Sequence, residues 1–127
     1  IEKIQDALNN HRKALRGSRI LILGAAYKAN IDDLRESPAL DVIHLLSEKG
    51  AEVSYYDPHV PHIRWEELVM DSITDWKAEV KRADCVVIIT NHQVFDYAAI
   101  LESAQLIVDT RNALGKSGKS NSKVVRL

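Results

Sequence analysis

The stretch Ile20-Leu-Ile-Leu-Gly24-Ala-Ala-Tyr-Lys28-Ala-Asn-Ile-Asp-Asp-Leu-Arg35-Glu-Ser-Pro38-Ala-Leu40 decides the fold. Its first four residues form a short, fully apolar run. Such a run bounded by glycine reads as a strand buried on both faces, the usual state in a parallel sheet. Gly24 ends the strand and lets the backbone turn closely. A polar loop follows, carrying Lys28, Asp32, Asp33 and Arg35. Ser37-Pro38 then opens a helix, because Ser caps well and Pro at the first helical position has no amide bond to lose. A strand thus delivers a charged loop to its carboxyl end, which is where open α/β sheets bind ligands.

Outward from that stretch, Ile4, Leu8 and Leu15 fall near one face and predict a helix over 1–15, broken by Gly17-Ser18. Leu40, Ile43 and Leu46 give the apolar face of the helix after Pro38, and Gly50 is its expected stop. Residues 52–57 read as a second strand ended by Pro58. Residues 58–75 read as a long loop with a short helical piece near 65–69. A helix over 76–82, a third strand over 85–90, a helix over 94–102 and a fourth strand over 106–109 complete the alternation. Residues 116–123, rich in Gly, Ser and Lys, predict a mobile tail, with a possible edge strand at Val124-Val125. The domain limits read as 1–17 for a lead-in helix, 18–115 for the domain itself and 116–127 for the tail. Strands alternating with helices predict a doubly wound, Rossmann-like parallel α/β sheet, order 2-1-3-4, with helices on both faces.

Composition excludes several function classes. The 127 residues suit one domain. Seventeen basic against 18 acidic residues leave a net charge of -1, which gives no support for a nucleic-acid partner or a polybasic membrane contact. The apolar runs are too short to span a bilayer. Lone Cys85 excludes an internal disulfide and fits a reducing, cytoplasmic setting. The chain begins at Ile1 rather than Met, so a longer protein is expected.

The residues after each strand are the candidates for chemistry: Tyr27 and Lys28, then Asp57 and His59, then Asn91 and His92, then Asp109 and Arg111. A parallel sheet brings them to one edge. Lys28, Arg35 and Arg111 there would suit a phosphate or pyrophosphate. Taken singly, each cation is as well explained as a solvated group, with Arg35 paired to Asp32 or Asp33. Gly24-Ala-Ala has only the first glycine of a dinucleotide fingerprint, so no self-sufficient dinucleotide site is expected. Asp57, His59 and His62 lack a fourth metal ligand. Cys85 opens a buried strand and reads as a core thiol. A phosphoacceptor signalling module fits poorly, since Asp32-Asp33 come late and no lysine closes the fourth strand. A purely structural α/β domain stays open as well.

The string from Gly24 to Leu40, with Gly50-Ala-Glu-Val, Tyr56-Asp-Pro, Ala83-Asp84 and Val108-Asp-Thr-Arg-Asn112, resembles the C-terminal domain of the nucleotide-sugar dehydrogenases. These are the UDP-glucose, UDP-N-acetylhexosamine and GDP-mannose dehydrogenases. The resemblance covers roughly residues 19–114. It implies an NAD-dependent oxidation of a UDP-sugar C6 alcohol to a carboxylate, of the kind used in polysaccharide biosynthesis. It also implies an N-terminal domain holding NAD and a central helical region carrying the catalytic residues and joining subunits into a homodimer or higher assembly. The family's catalytic cysteine lies before this domain, and Cys85 does not match it, so no catalytic residue and no metal is expected here. By resemblance, Tyr27, Lys28 and Arg111 contact the UDP-sugar, and Arg35 reaches NAD on the other domain. Lys28-Ala-Asn-Ile-Asp-Asp-Leu-Arg and Tyr55-Tyr-Asp-Pro-His-Val-Pro61 look most like the UDP-N-acetylglucosamine 6-dehydrogenase branch, with the same domain of a UDP-glucose or UDP-N-acetylmannosamine dehydrogenase as the alternative.

Overall fold

The computed structural model describes residues 1–26, 37–119 and 121–126. Its main sheet has five strands: β1 Arg19–Leu23, β2 Glu52–Tyr56, β5 Cys85–Ile88, β6 Ile107–Asp109 and β7 Val124–Arg126. They run in the order β2-β1-β5-β6-β7, and every neighbouring pair is parallel. The four strands expected from the sequence therefore stand 2-1-3-4, with β7 added at the edge.

Successive residues of β1 face opposite sides of the sheet. Ile20 and Ile22 join the core beneath α1 (Glu2–Asn10) and α2 (Pro38–Glu48), through Ile4, Leu8, Leu40, Ile43 and Leu46. Leu21 and Leu23 join the core beneath α3 (Trp76–Arg82) and α4 (Tyr97–Ser103), through Val80, Phe95 and Ile100. The helix after β1 thus lies on one face and the helices flanking β5 on the other. That change of face between two adjacent strands opens a crevice at their carboxyl ends. At the amino end, Lys13 Nζ meets Asp84 Oδ1 at 2.8 Å and latches the chain after α1 to the start of β5.

Several elements differ from expectation for local reasons. Helix α1 stops at Asn10, because Arg12 turns through φ 60° and the Lys13 amide folds back to the Leu8 carbonyl. Helix α4 starts at Tyr97, where the Asp96 carboxylate accepts from the Ala99 amide at 3.1 Å, a cap the reading missed. The helical piece expected near 65–69 is instead an antiparallel hairpin, β3 His62–Trp65 and β4 Leu68–Asp71. Its two-residue turn is Glu66-Glu67, with Glu66 at φ 53°, and lacks the Asn-Gly or Asp-Gly signature of such turns. Ile63 plugs it into the core beside Tyr55 and Val60. Residues 116–119, expected in a mobile tail, form a short helix, α5 Lys116–Lys119. No helix among the described residues is long and apolar enough to cross a membrane.

Cys85 is fully buried. Burial, reinforced by the Asp84 charge, pushes its thiol up to about 12. It stays protonated at neutral pH, and a thiolate is what reacts with disulfide reagents. In native protein at pH 8, Ellman's reagent is expected to label Cys85 no faster than the chain unfolds. Complete labelling within seconds, without denaturant, would contradict its core placement.

Candidate functional site

The register sets a single row across the sheet: Tyr56, Leu23, Ile88, Asp109 and Arg126 stand side by side. The residues just beyond that row form the carboxyl edge, and side chains from three strands meet there.

At its centre is Asp57, fully buried after β2. Its Oδ2 accepts from the Ala25 amide at 2.7 Å, the Ala26 amide at 3.1 Å and His92 Nε2 at 2.8 Å. Its Oδ1 accepts from the His59 amide at 2.8 Å. His92, after β5, is buried as completely as its partner. Four N–H donors thus surround one carboxylate and replace the water that burial takes from it. The His59 ring lies against the His92 ring, centroids 4.5 Å apart. His59 Nε2 is buried without a hydrogen-bond partner among the described residues.

The carbonyls of the same two alanines are also taken. Ser37 Oγ donates to Ala25 O at 2.6 Å while accepting from the Ala39 amide at 3.2 Å, so one hydroxyl caps α2 and ties it to the end of β1. Thr90 Oγ1 donates to Ala26 O at 2.6 Å. Gly24 makes this approach possible: it sits at φ 90°, and a Cβ there would stand 2.5 Å from both Thr90 Cβ and Thr90 O.

After β6 the same device recurs. Buried Asp109 accepts from the amides of Arg111 at 3.1 Å, Ala113 at 3.0 Å and Leu114 at 3.0 Å. This folds residues 110–114 into a tight turn with Asn112 at φ 55°. Exposed Arg111 donates from Nε to the Ile89 carbonyl at 2.9 Å. Its terminal guanidinium nitrogens bond no other described residue, so a cationic fork stands at the edge beside β5. Such a fork matches a phosphate or carboxylate.

Of the residues singled out in the sequence, Arg111 and His92 share this edge, Arg111 at its surface and His92 beneath it. Tyr27, Lys28 and Arg35 lie outside the described residues, as do Asp32 and Asp33. The possible metal set comes apart: His62 pairs with Asp71 at 2.9 Å on the exposed hairpin, and Asp57 is enclosed by backbone amides and His92. Among the described residues no group of three His, Cys, Asp or Glu could hold a metal. The sequence reading missed Asp57 with His92 as a pair, and Thr90 with Ser37 as its companions. The available signal was a polar residue placed directly at the end of each apolar strand. A groove of about 790 Å3 lies between α2 and the hairpin, lined by Leu40, His44 and Trp65 together with Asp41, Glu66 and Glu67. Its three carboxylates make it a poor host for a pyrophosphate, whereas the carboxyl edge presents the Arg111 fork.

An NAD fit can be tested on the β1–α2 connection. A dinucleotide fold needs a tight glycine-rich turn from strand to helix. Here Gly24 is the only glycine, and β1 and α2 are separated by residues 24–37. The Ser37 hydroxyl caps the start of α2 itself. These residues do not fit an autonomous NAD site.

The geometry defines a Rossmann-like α/β domain with an anion-suited carboxyl edge. The family model described as "UDP-glucose/GDP-mannose dehydrogenase family, UDP binding domain" matches residues 21–116. The chain belongs to this UDP-glucose/GDP-mannose dehydrogenase family. A UDP-N-acetyl-D-mannosamine dehydrogenase of Methanococcus maripaludis is 36% identical over 107 residues, covering 78% of this chain and 24% of that protein. A UDP-glucose 6-dehydrogenase of Rhizobium meliloti is 36% identical over 108 residues, covering 80% of this chain and 25% of that protein. The solved structure of a UDP-D-ManNAc dehydrogenase from Pyrococcus horikoshii superposes with a TM-score of 0.78 at 26% identity, over 98% of this chain and 29% of that one. The chain therefore spans about a quarter of the length of the curated relatives it matches.

Tyr97 adds a pH dependence. Its hydroxyl donates to the His92 carbonyl at 2.6 Å. Burial, then the Asp109 charge, push its phenol up to about 12. Burial, then Asp57, do the same to Tyr55, also to about 12. An unfolded tyrosine ionises near 10. Between these values the folded state holds the extra proton, so this stabilisation is full below about pH 10 and is lost as pH rises through about 12. Urea midpoints are expected to fall steadily from pH 9.5 to 11.5, and Tyr97→Phe should flatten that fall. Parallel curves for wild type and variant would remove Tyr97 as its source.

Proposed function

We propose that this chain is the UDP-sugar-binding domain of an NAD-dependent nucleotide-sugar 6-dehydrogenase, and that the substrate's nucleotide diphosphate binds at the carboxyl edge. The observation that carries this reading is the family match over residues 21–116, which spans the strands whose carboxyl ends present Arg111. Tyr27 and Lys28, on the segment after Ala26, and Arg111 are the substrate contacts of the proposal; Arg35 reaches NAD held by the rest of the protein. A lysine supplies a compact charge for one phosphate, and the Arg111 fork a planar partner for another. No catalytic residue is assigned to this chain. Cys85 is buried and protonated, so the oxidation of the C6 alcohol belongs to the remainder of the protein. A cytoplasmic setting and a homodimer or higher assembly are parts of the same proposal.

The sugar read in the sequence is not among those named in the relatives described above. N-acetylglucosamine was expected, but the relatives described above act on UDP-N-acetyl-D-mannosamine and UDP-glucose. The N-acetylmannosamine compound is the favoured substrate, because both a curated relative and the superposed structure carry that name. UDP-glucose is the alternative.

Full-length protein is expected to oxidise one of these UDP-sugars with NAD, whereas the 127-residue chain alone binds UDP weakly and oxidises nothing. In the full-length protein, Lys28→Ala should cost about 1.5–3 kcal/mol of charge-assisted contact, or roughly ten- to a hundredfold in kcat/KM. Thermal stability should barely change if the role of Lys28 is to meet the ligand. Unchanged kcat/KM would remove Lys28 from the site, and a large fall in Tm would make it structural.

A further inference from the structure

We propose that Asp57, held by His92, acts with Thr90 and Ser37 as a clamp that positions the stem of the ligand-binding edge at Ala25-Ala26. This rests on the functional reading above and assigns positioning residues to that same site.

Ala25 and Ala26 are fully buried and carry no polar side chain. Their backbone nevertheless has two amides and two carbonyls to satisfy. All four are satisfied by side chains rather than by a ladder: both amides by Asp57, one carbonyl by Ser37 and the other by Thr90. The three partners come from the end of β2, the start of α2 and the end of β5. The stem is therefore referenced to three elements at once, and a shift of any of them would break a charge-assisted or buried bond.

His92 makes the arrangement workable beside an anionic ligand. A bare carboxylate at this edge would repel a diphosphate. Here the N–H donors of residues 25, 26, 59 and 92 converge on it. Among the described residues, the His59 ring, the Phe95 ring and the Tyr97 hydroxyl on the His92 carbonyl pack around the pair. Stability alone does not call for such a pair, because buried ion pairs are commonly matched by apolar packing of similar volume. What an apolar core cannot do is hold two consecutive amides in one direction.

The test uses the full-length protein, with UDP as probe by calorimetry and hydrogen exchange of peptides covering residues 19–26. His92→Leu removes the Nε2 donor. Expected are about tenfold weaker UDP binding, faster exchange confined to residues 24–26, unchanged protection of 19–23 and unchanged NAD binding. His92→Gln keeps an N–H donor at similar reach and should restore UDP affinity to within about twofold of wild type. Should His92→Leu fail to fold, Thr90→Val removes the Ala26 partner at nearly constant volume and should weaken UDP binding severalfold with the same exchange signature. A folded His92→Leu variant that binds UDP like wild type overturns the clamp, as does a Gln variant as weak as the Leu variant. Wild-type protein that does not bind UDP overturns the functional reading instead, whatever the exchange pattern shows.

Discussion

Three chain segments at the carboxyl edge are joined through one buried carboxylate. Asp57 ends β2, but its hydrogen bonds go to the chain leaving β1 and to the residue that follows β5. A buried carboxylate needs hydrogen-bond donors in place of water, and here the donors are supplied by segments far apart in sequence. Satisfying Asp57 therefore fixes three strand ends relative to one another. Gly24 follows from the same constraint: only a residue without a side chain lets Ala25 and Ala26 come so close to Thr90.

Charge then decides which surface can take a ligand. The edge hides its carboxylates, Asp57 and Asp109, beneath backbone amides and leaves the Arg111 fork exposed. The hairpin groove does the opposite, exposing Asp41, Glu66 and Glu67 along its walls. The described part of the edge and the hairpin groove are thus electrostatically distinct, although the chain as a whole is nearly neutral with a net charge of -1. Global charge balance says little about a site when the sheet sorts its polar groups by edge.

The fold was legible because β1 and β5 are apolar on both faces, and Ser37-Pro38 marks a helix start that the Ser37 bond to Ala39 realises. The hairpin was not, because Glu66-Glu67 carries none of the usual turn chemistry and its register depends on Ile63 reaching the core. The position of Arg111 at the carboxyl edge was legible from its place after a strand. The pairing of Asp57 with His92 was not: the two are 35 residues apart, and only the sheet order makes β1 the neighbour of both β2 and β5. His59 and His62 look alike in sequence, yet one lies under the edge and the other on an exposed hairpin. The sugar is not legible here, because the matching motifs lie on a stretch that makes up about a quarter of the relatives' length.

The most direct measurement is photoaffinity mapping of the full-length protein with 5-azido-UDP, followed by peptide sequencing of the adducts. If the nucleotide binds at the carboxyl edge, adducts fall on peptides containing residues 24–37, 89–93 or 110–115, and excess UDP abolishes them. Adducts confined to the hairpin at residues 62–71 or to the amino ends of the strands, equally displaced by UDP, would contradict it.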